Sequence, residues 1–135
     1  ASHDFTTLAN GGETLLLVED EPMLIRVTAQ VLMSLGYTVL TAKGAEEALD
    51  LINKRAEPID LLVTDIVMPG MNGKELADAL RMIRPDTKVL FMSGYTANVI
   101  EQHGILDSTV HFISKPCSIL ELSSKIRSIL EHSGS

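Results

Sequence analysis

The chain has no tryptophan, and two tyrosines and three phenylalanines make up its whole aromatic content. A surface that stacks bases or sugar rings needs more aromatic side chains than that. The single cysteine, Cys117, cannot close an internal disulfide, which fits a reducing compartment. Basic residues are scarce as well: 11 lysines and arginines against 18 aspartates and glutamates leave a net charge of −7. Nucleic-acid phosphates and anionic membrane surfaces both require a basic face, so that balance opposes either as a direct partner. No apolar run approaches the roughly 18 residues of a membrane span, and no signal-peptide pattern opens the sequence. Internal repeats and low-complexity tracts are lacking. The four histidines, His3, His103, His111 and His132, show no metal-ligand spacing.

What is present is enough for one folded unit. A chain of 135 residues, 45% apolar and with mean hydropathy +0.20, can bury roughly two-thirds of its unfolded surface. Residues 1–12 are polar, end in Gly11-Gly12 and read as a tag or linker. Residues 133–135 read as a tail, which leaves 13–132 as the domain.

Within that domain two periods alternate. Short β-branched, apolar runs stand at 14–18, 37–41, 60–64, 87–92 and 109–113, about 22–27 residues apart. The first, third and fourth are almost continuously apolar, as strands covered on both faces should be. Helical spacing fills the intervals. Leu24, Val27, Thr28, Val31, Leu32 and Leu35 form one stripe, closed by Gly36. Ala45, Ala48, Leu49 and Ile52 form a second, and Leu76, Ala79, Leu80 and Ile83 a third, which stops at Arg84-Pro85. Ile119, Leu122, Ile126, Ile129 and Leu130 form the last, and residues 96–103 suggest a short additional helix. Five strand–helix units predict an α/β domain: a five-stranded parallel sheet, order 2-1-3-4-5, doubly wound by five helices in the flavodoxin-like manner. In such sheets function sits beyond the carboxyl ends of the strands, where strand order reverses.

The residues at those ends are therefore the informative ones. Glu19-Asp20-Glu21-Pro22 follows the first strand, where a phosphate-binding turn would need bare glycine backbone. Asp20 can simply cap the next helix, with Glu21 and Pro22 in its first turn, but that leaves Glu19 unaccounted for. Asp65 follows the third strand; it can open a Pro-Gly turn, yet it also terminates the apolar run Leu61-Leu62-Val63. With the first and third strands adjacent, Glu19, Asp20 and Asp65 converge, and crowded carboxylates are unfavourable unless a cation or proton intervenes. Oxygen ligands of this kind suit Mg²⁺, with phosphate as a natural co-ligand. Ser93 follows the fourth strand and Lys115 the fifth. Alone, each is an ordinary turn or surface residue. On the rim with three acids, the hydroxyl can donate to an anionic oxygen and the ammonium can balance one. Metal, carboxylate nucleophile, hydroxyl and cation together are what phosphoryl transfer onto a carboxylate requires.

The ordered set resembles the receiver domain of two-component response regulators. It is carried by Leu-Leu-Val-Glu19-Asp20-Glu21-Pro22, Asp65-Ile-Val-Met-Pro69-Gly70-Met-Asn-Gly73, Met92-Ser93-Gly94 and Ser114-Lys115-Pro116, over about residues 14–131. The resemblance implies that Asp65 is the phosphoacceptor and that Glu19, Asp20, Asp65 and the backbone carbonyl of Val67 hold Mg²⁺, or Mn²⁺ in its place. It implies that Ser93 and Lys115 contact the phosphoryl group, and that Ser93 and Phe112 form the conformational switch. Glu19 stands where Asp is more usual, Ser93 where Thr is common, and Phe112 lacks a hydroxyl. Val67 and Tyr95 flank the phosphoryl position without offering a water-orienting group, which implies slow self-dephosphorylation.

Residues 12–21 and 93–107 resemble in particular the C-terminal receivers of hybrid sensor histidine kinases. The implied partner is the phosphohistidine domain of a histidine kinase or a histidine phosphotransfer domain. The implied setting is the cytoplasm, with no direct nucleic-acid or membrane contact, as a monomer or weak dimer. Three other readings compete. One is a stand-alone single-domain response regulator. A Mg²⁺-dependent phosphohydrolase with an Asp nucleophile would carry a second acid two residues on, where this chain has Val67. A flavin- or nucleotide-binding domain would lack acids after the first strand.

Overall fold

In the computed structural model, residues 12–55, 57–66, 72–93, 111–114 and 118–131 are described. The apolar runs form strands β1 (Thr14–Val18), β2 (Thr38–Ala42), β3 (Leu61–Asp65), β4 (Lys88–Ser93) and β5 (His111–Ser114). All four pairings are parallel, in the order β2-β1-β3-β4-β5. β1 coincides with its apolar run. The other four strands end one residue later than the sequence suggested, so that Asp65, Ser93 and Ser114 are the last residues of their strands rather than the first after them. Hydropathy marks where apolar side chains stop, whereas the ladder continues through any residue whose main chain still pairs.

Among the described residues four helices connect or follow the strands: α1 (Pro22–Ser34), α2 (Ala45–Lys54), α3 (Gly73–Ile83) and α4 (Ile119–Glu131). The helix suggested over residues 96–103 lies outside the described residues. Alternate strand residues face opposite layers, as the two-residue strand period requires. Leu16, Val18, Leu62, Val89 and Phe91 pack against α2 and α3 through Ala48, Ile52, Leu76 and Leu80. Leu15, Leu17, Leu61, Val63 and Leu90 pack against α1 and α4 through Ala29, Leu32, Leu122, Ile126 and Ile129. Both faces of β1 and β3 are thus covered, which accounts for their nearly continuous apolar character.

The helix ends follow local chemistry. α1 starts at Pro22, whose fixed φ and missing N–H suit the first turn. It closes on Gly36 at φ 101°, with Gly36 N–H donating to Met33 O and Tyr37 N–H to Leu32 O. α3 opens with a reciprocal cap: Glu75 N–H donates to the Asn72 side chain at 2.8 Å, and Asn72 N–H to the Glu75 carboxylate at 3.0 Å.

One stripe needs correction. Leu24 and Val27, read as core positions of α1, are 40% and 47% exposed, and the helix buries Thr28, Ala29 and Leu32. α1 carries apolar residues on nearly every side, so periodicity alone does not choose its inner face. The small side chain of Ala29 allows close approach to the sheet and takes that role. Ile83 of α3 is likewise 45% exposed, while Ala77 is buried.

Candidate functional site

β1 and β3 are neighbours, with Val18 opposite Thr64, so the residues that follow them leave the sheet side by side. Glu19 extends the β1 edge by one bond, its N–H donating to Ala42 O at 3.1 Å. Its side chain is buried, and one carboxylate oxygen accepts the Glu21 N–H at 3.1 Å. That bond bears on how α1 begins. Glu21, not Asp20, occupies the N-cap position, and its side chain makes no capping bond. Asp20 is exposed at the rim. The simple helix-cap reading of Asp20 therefore does not describe this turn.

Asp65 ends β3 in register with Met92 and is buried. The three carboxylates come together: one oxygen from each of Glu19, Asp20 and Asp65 lies within 4.8 Å of the others. Like charges held that close repel one another, with the solvent-exposed Asp20 the most screened of the three. Two of the three are shielded from water, so a positive charge held among them would lower their mutual repulsion. Three hard oxygen donors, one of them open to solvent, match a hydrated divalent cation that keeps some of its waters.

The main chain beneath Asp65 is firmly held. The fully buried Thr64 hydroxyl donates to the Asp65 carbonyl at 3.0 Å. Ile66 N–H reaches Met92 O at 3.2 Å, and Gly73 N–H reaches Ile66 O at 2.7 Å. Thr64 and Gly73 were not singled out by sequence reasoning as site residues. The trace of Thr64 was a lone polar side chain inside an apolar strand, and Gly73 appeared only as part of a motif.

The remaining residues divide. Ser93 ends β4 in register with Ser114 of β5, so its main chain reaches the same sheet edge as Asp65. Phe112 is half-buried, opposite Phe91, with ring centroids 5.7 Å apart and planes inclined by 30°. Val67, Tyr95 and Lys115 lie outside the described residues.

Residues 15–127 match the response regulator receiver domain family. The chain belongs to that family. The receiver is 36% identical over 122 residues to the sensor kinase CckA of Brucella abortus (strain 2308), covering 90% of this chain but 13% of the kinase. It is 33% identical over 116 residues to the response regulator receiver protein CpdR of the same organism, covering 86% of this chain and 95% of CpdR. Among solved structures, the response regulator TrrA of Thermotoga maritima, in complex with Mg²⁺-BeF, superposes with a TM-score of 0.73 at 28% identity. That match covers 87% of this receiver and 99% of TrrA. Receivers accept phosphoryl groups in two-component systems, where they work with histidine kinases or phosphotransfer proteins. Among the described residues no helix is long and apolar enough to cross a membrane.

Proposed function

We propose that Asp65 is the phosphoacceptor of this receiver, that Glu19, Asp20 and Asp65 hold Mg²⁺, and that the donor is a phosphohistidine. The observation that carries this reading is the convergence of three carboxylates at the strand-order reversal of a receiver fold. A carboxylate oxygen of Asp65 attacks phosphorus, the phosphorus–nitrogen bond of the donor breaks, and the freed imidazole keeps the electron pair and takes up a proton. Mg²⁺, or Mn²⁺ in its place, would neutralise the acids and the incoming phosphoryl oxygens, and the Val67 carbonyl would complete its protein ligands. The Ser93 hydroxyl would donate to the phosphoryl group and the Lys115 ammonium would pair with it. Phe112, stacked on Phe91, would change packing as Ser93 engages the phosphoryl group, shifting the population of the β4–β5 edge.

The folded unit in this reading spans 13–132, and its setting is the cytoplasm or the cytoplasmic side of a membrane-bound parent. Similarity to CckA favours a sensor-kinase parent, while the near full-length match to CpdR supports a stand-alone regulator as the second reading. A hydrolase is disfavoured because Val67, two residues beyond Asp65, cannot act as a general acid.

Incubation with acetyl phosphate, with and without Mg²⁺, followed by intact-mass measurement of wild type and Asp65→Asn, tests this directly. The expected result is one base-labile phosphoryl adduct on the wild type, dependent on Mg²⁺ and persisting well beyond seconds. An equal adduct on Asp65→Asn, or release of phosphate over many turnovers, would overturn the reading.

A further inference from the structure

Gly73 is the first residue of α3 and is buried against the main chain of the proposed phosphoacceptor. A Cβ built on Gly73 would lie 2.1 Å from the Asp65 carbonyl oxygen, and 3.0 Å from both the Asp65 carbonyl carbon and the Ile66 α-carbon. Each of these obstacles is backbone, so no side-chain rotation relieves the overlap. To reach even a tight 3.0 Å contact with that oxygen, one partner must move by about 0.9 Å.

Neither side yields easily. α3 is fixed at its start by the Asn72–Glu75 reciprocal cap and by the 2.7 Å bond from Gly73 N–H to Ile66 O. Its next turns are anchored by buried Leu76, Ala77 and Leu80. On the strand side, the Asp65 carbonyl already accepts the Thr64 hydroxyl, and Asp65 pairs with Met92. Displacement of Asp65 changes where its carboxylate lies relative to Glu19 and Asp20, which stand on a different strand end.

We propose that Gly73 is a positioning residue for Asp65. Its bare α-carbon lets the first turn of α3 close on the β3 main chain and so sets where the Asp65 carboxylate meets Glu19 and Asp20. This rests on the reading of Asp65 as phosphoacceptor and of the three acids as a cation site. A misplacement near 1 Å is enough to cost about a hundredfold in a reaction that depends on positioning.

The test compares wild type, Gly73→Ala and Ala79→Gly; the last weakens the same helix without approaching Asp65. Three quantities are read: the melting temperature, the Mg²⁺ dissociation constant by calorimetry, and the rate of phosphoryl uptake from acetyl phosphate. Gly73→Ala is expected to weaken Mg²⁺ binding and to slow uptake tenfold or more, beyond any loss shared with Ala79→Gly, which stays within twofold of wild type in both. In the metal-free proteins, the Asp65 and Met92 amide resonances shift in Gly73→Ala and not in Ala79→Gly. Gly73→Ala within twofold of Ala79→Gly overturns the inference while a reactive wild type leaves the parent reading standing. A wild type that neither binds Mg²⁺ nor takes up phosphate removes both. If Gly73→Ala gives no cooperative melt, Asn72→Ala, which frees the same turn, is expected to weaken Mg²⁺ binding threefold or more; parity with Ala79→Gly overturns the inference.

Discussion

Buried Glu19 and Asp65 are costly residues, and the chain keeps them side by side where an apolar pair would pack with less penalty. The acids at the carboxyl ends of β1 and β3 were legible because charge at the end of a buried strand is unusual whatever the fold. The grip on the Asp65 main chain was not, since a hydroxyl one residue away and a glycine eight residues on leave no periodic trace. A different kind of burial acts at His111, which opens β5. Burial, reinforced by the nearby Lys125 and Lys88, holds its pKa below the ordinary 6.5. On acidification the unfolded chain therefore takes up this proton before the folded one does. The stability that His111 contributes is complete above pH 6.5 and is lost as pH falls from there through the depressed folded value. Urea unfolding at a series of pH values is expected to show a shallower acid-side loss for His111→Gln than for wild type. Parallel profiles would exclude the effect.

At the scale of elements, the sheet and its order were readable because near-continuous apolar runs of five or six residues, regularly spaced and separated by helical stripes, suit buried parallel strands and little else. α1 was less so: with Leu24, Ile25, Val27, Val31 and Leu32 around its circumference, its inner face was chosen by packing rather than by pattern. The fastening of α4 was beyond sequence reasoning altogether, because its partners are far away along the chain. Arg127 forks onto Glu13, 2.7 Å from one carboxylate oxygen and 3.5 Å from the other. It also donates to the Tyr37 hydroxyl at 3.4 Å and lies 5.9 Å from that ring's centroid. The bond to Glu13 raises the Arg127 pKa against the opposing pull of burial, while burial raises that of Tyr37. Arg127 and Glu13 are only 15% and 25% exposed, so solvent screens this pair less than a surface one. Arg127→Ala strands the Glu13 carboxylate and the Tyr37 hydroxyl, and is expected to cost about 2 kcal/mol in urea unfolding. Arg127→Lys, which keeps the charge but not the fork, should recover only part. Because Glu13 and Glu19 flank opposite ends of β1, Mg²⁺ uptake should be unchanged in both variants; a loss of uptake would mean the two ends communicate.

Over the whole molecule the two ends of the sheet carry different work. The amino-terminal ends of β1 and β2 are tied to α4 through Arg127, and the carboxyl-terminal ends of β1 and β3 gather acids in a chain whose net charge is already −7. Concentrating like charge there is tolerable if a cation belongs to the site, and that is the premise on which the proposed phosphoryl transfer to Asp65 depends. Calorimetric titration of Mg²⁺ into wild type and Asp20→Asn tests the premise most directly. One saturable site per chain is predicted in the wild type, weakened tenfold or more in Asp20→Asn while the melting temperature of the metal-free protein does not fall. Absence of Mg²⁺ uptake by the wild type, or equal affinity in the two proteins, would contradict it.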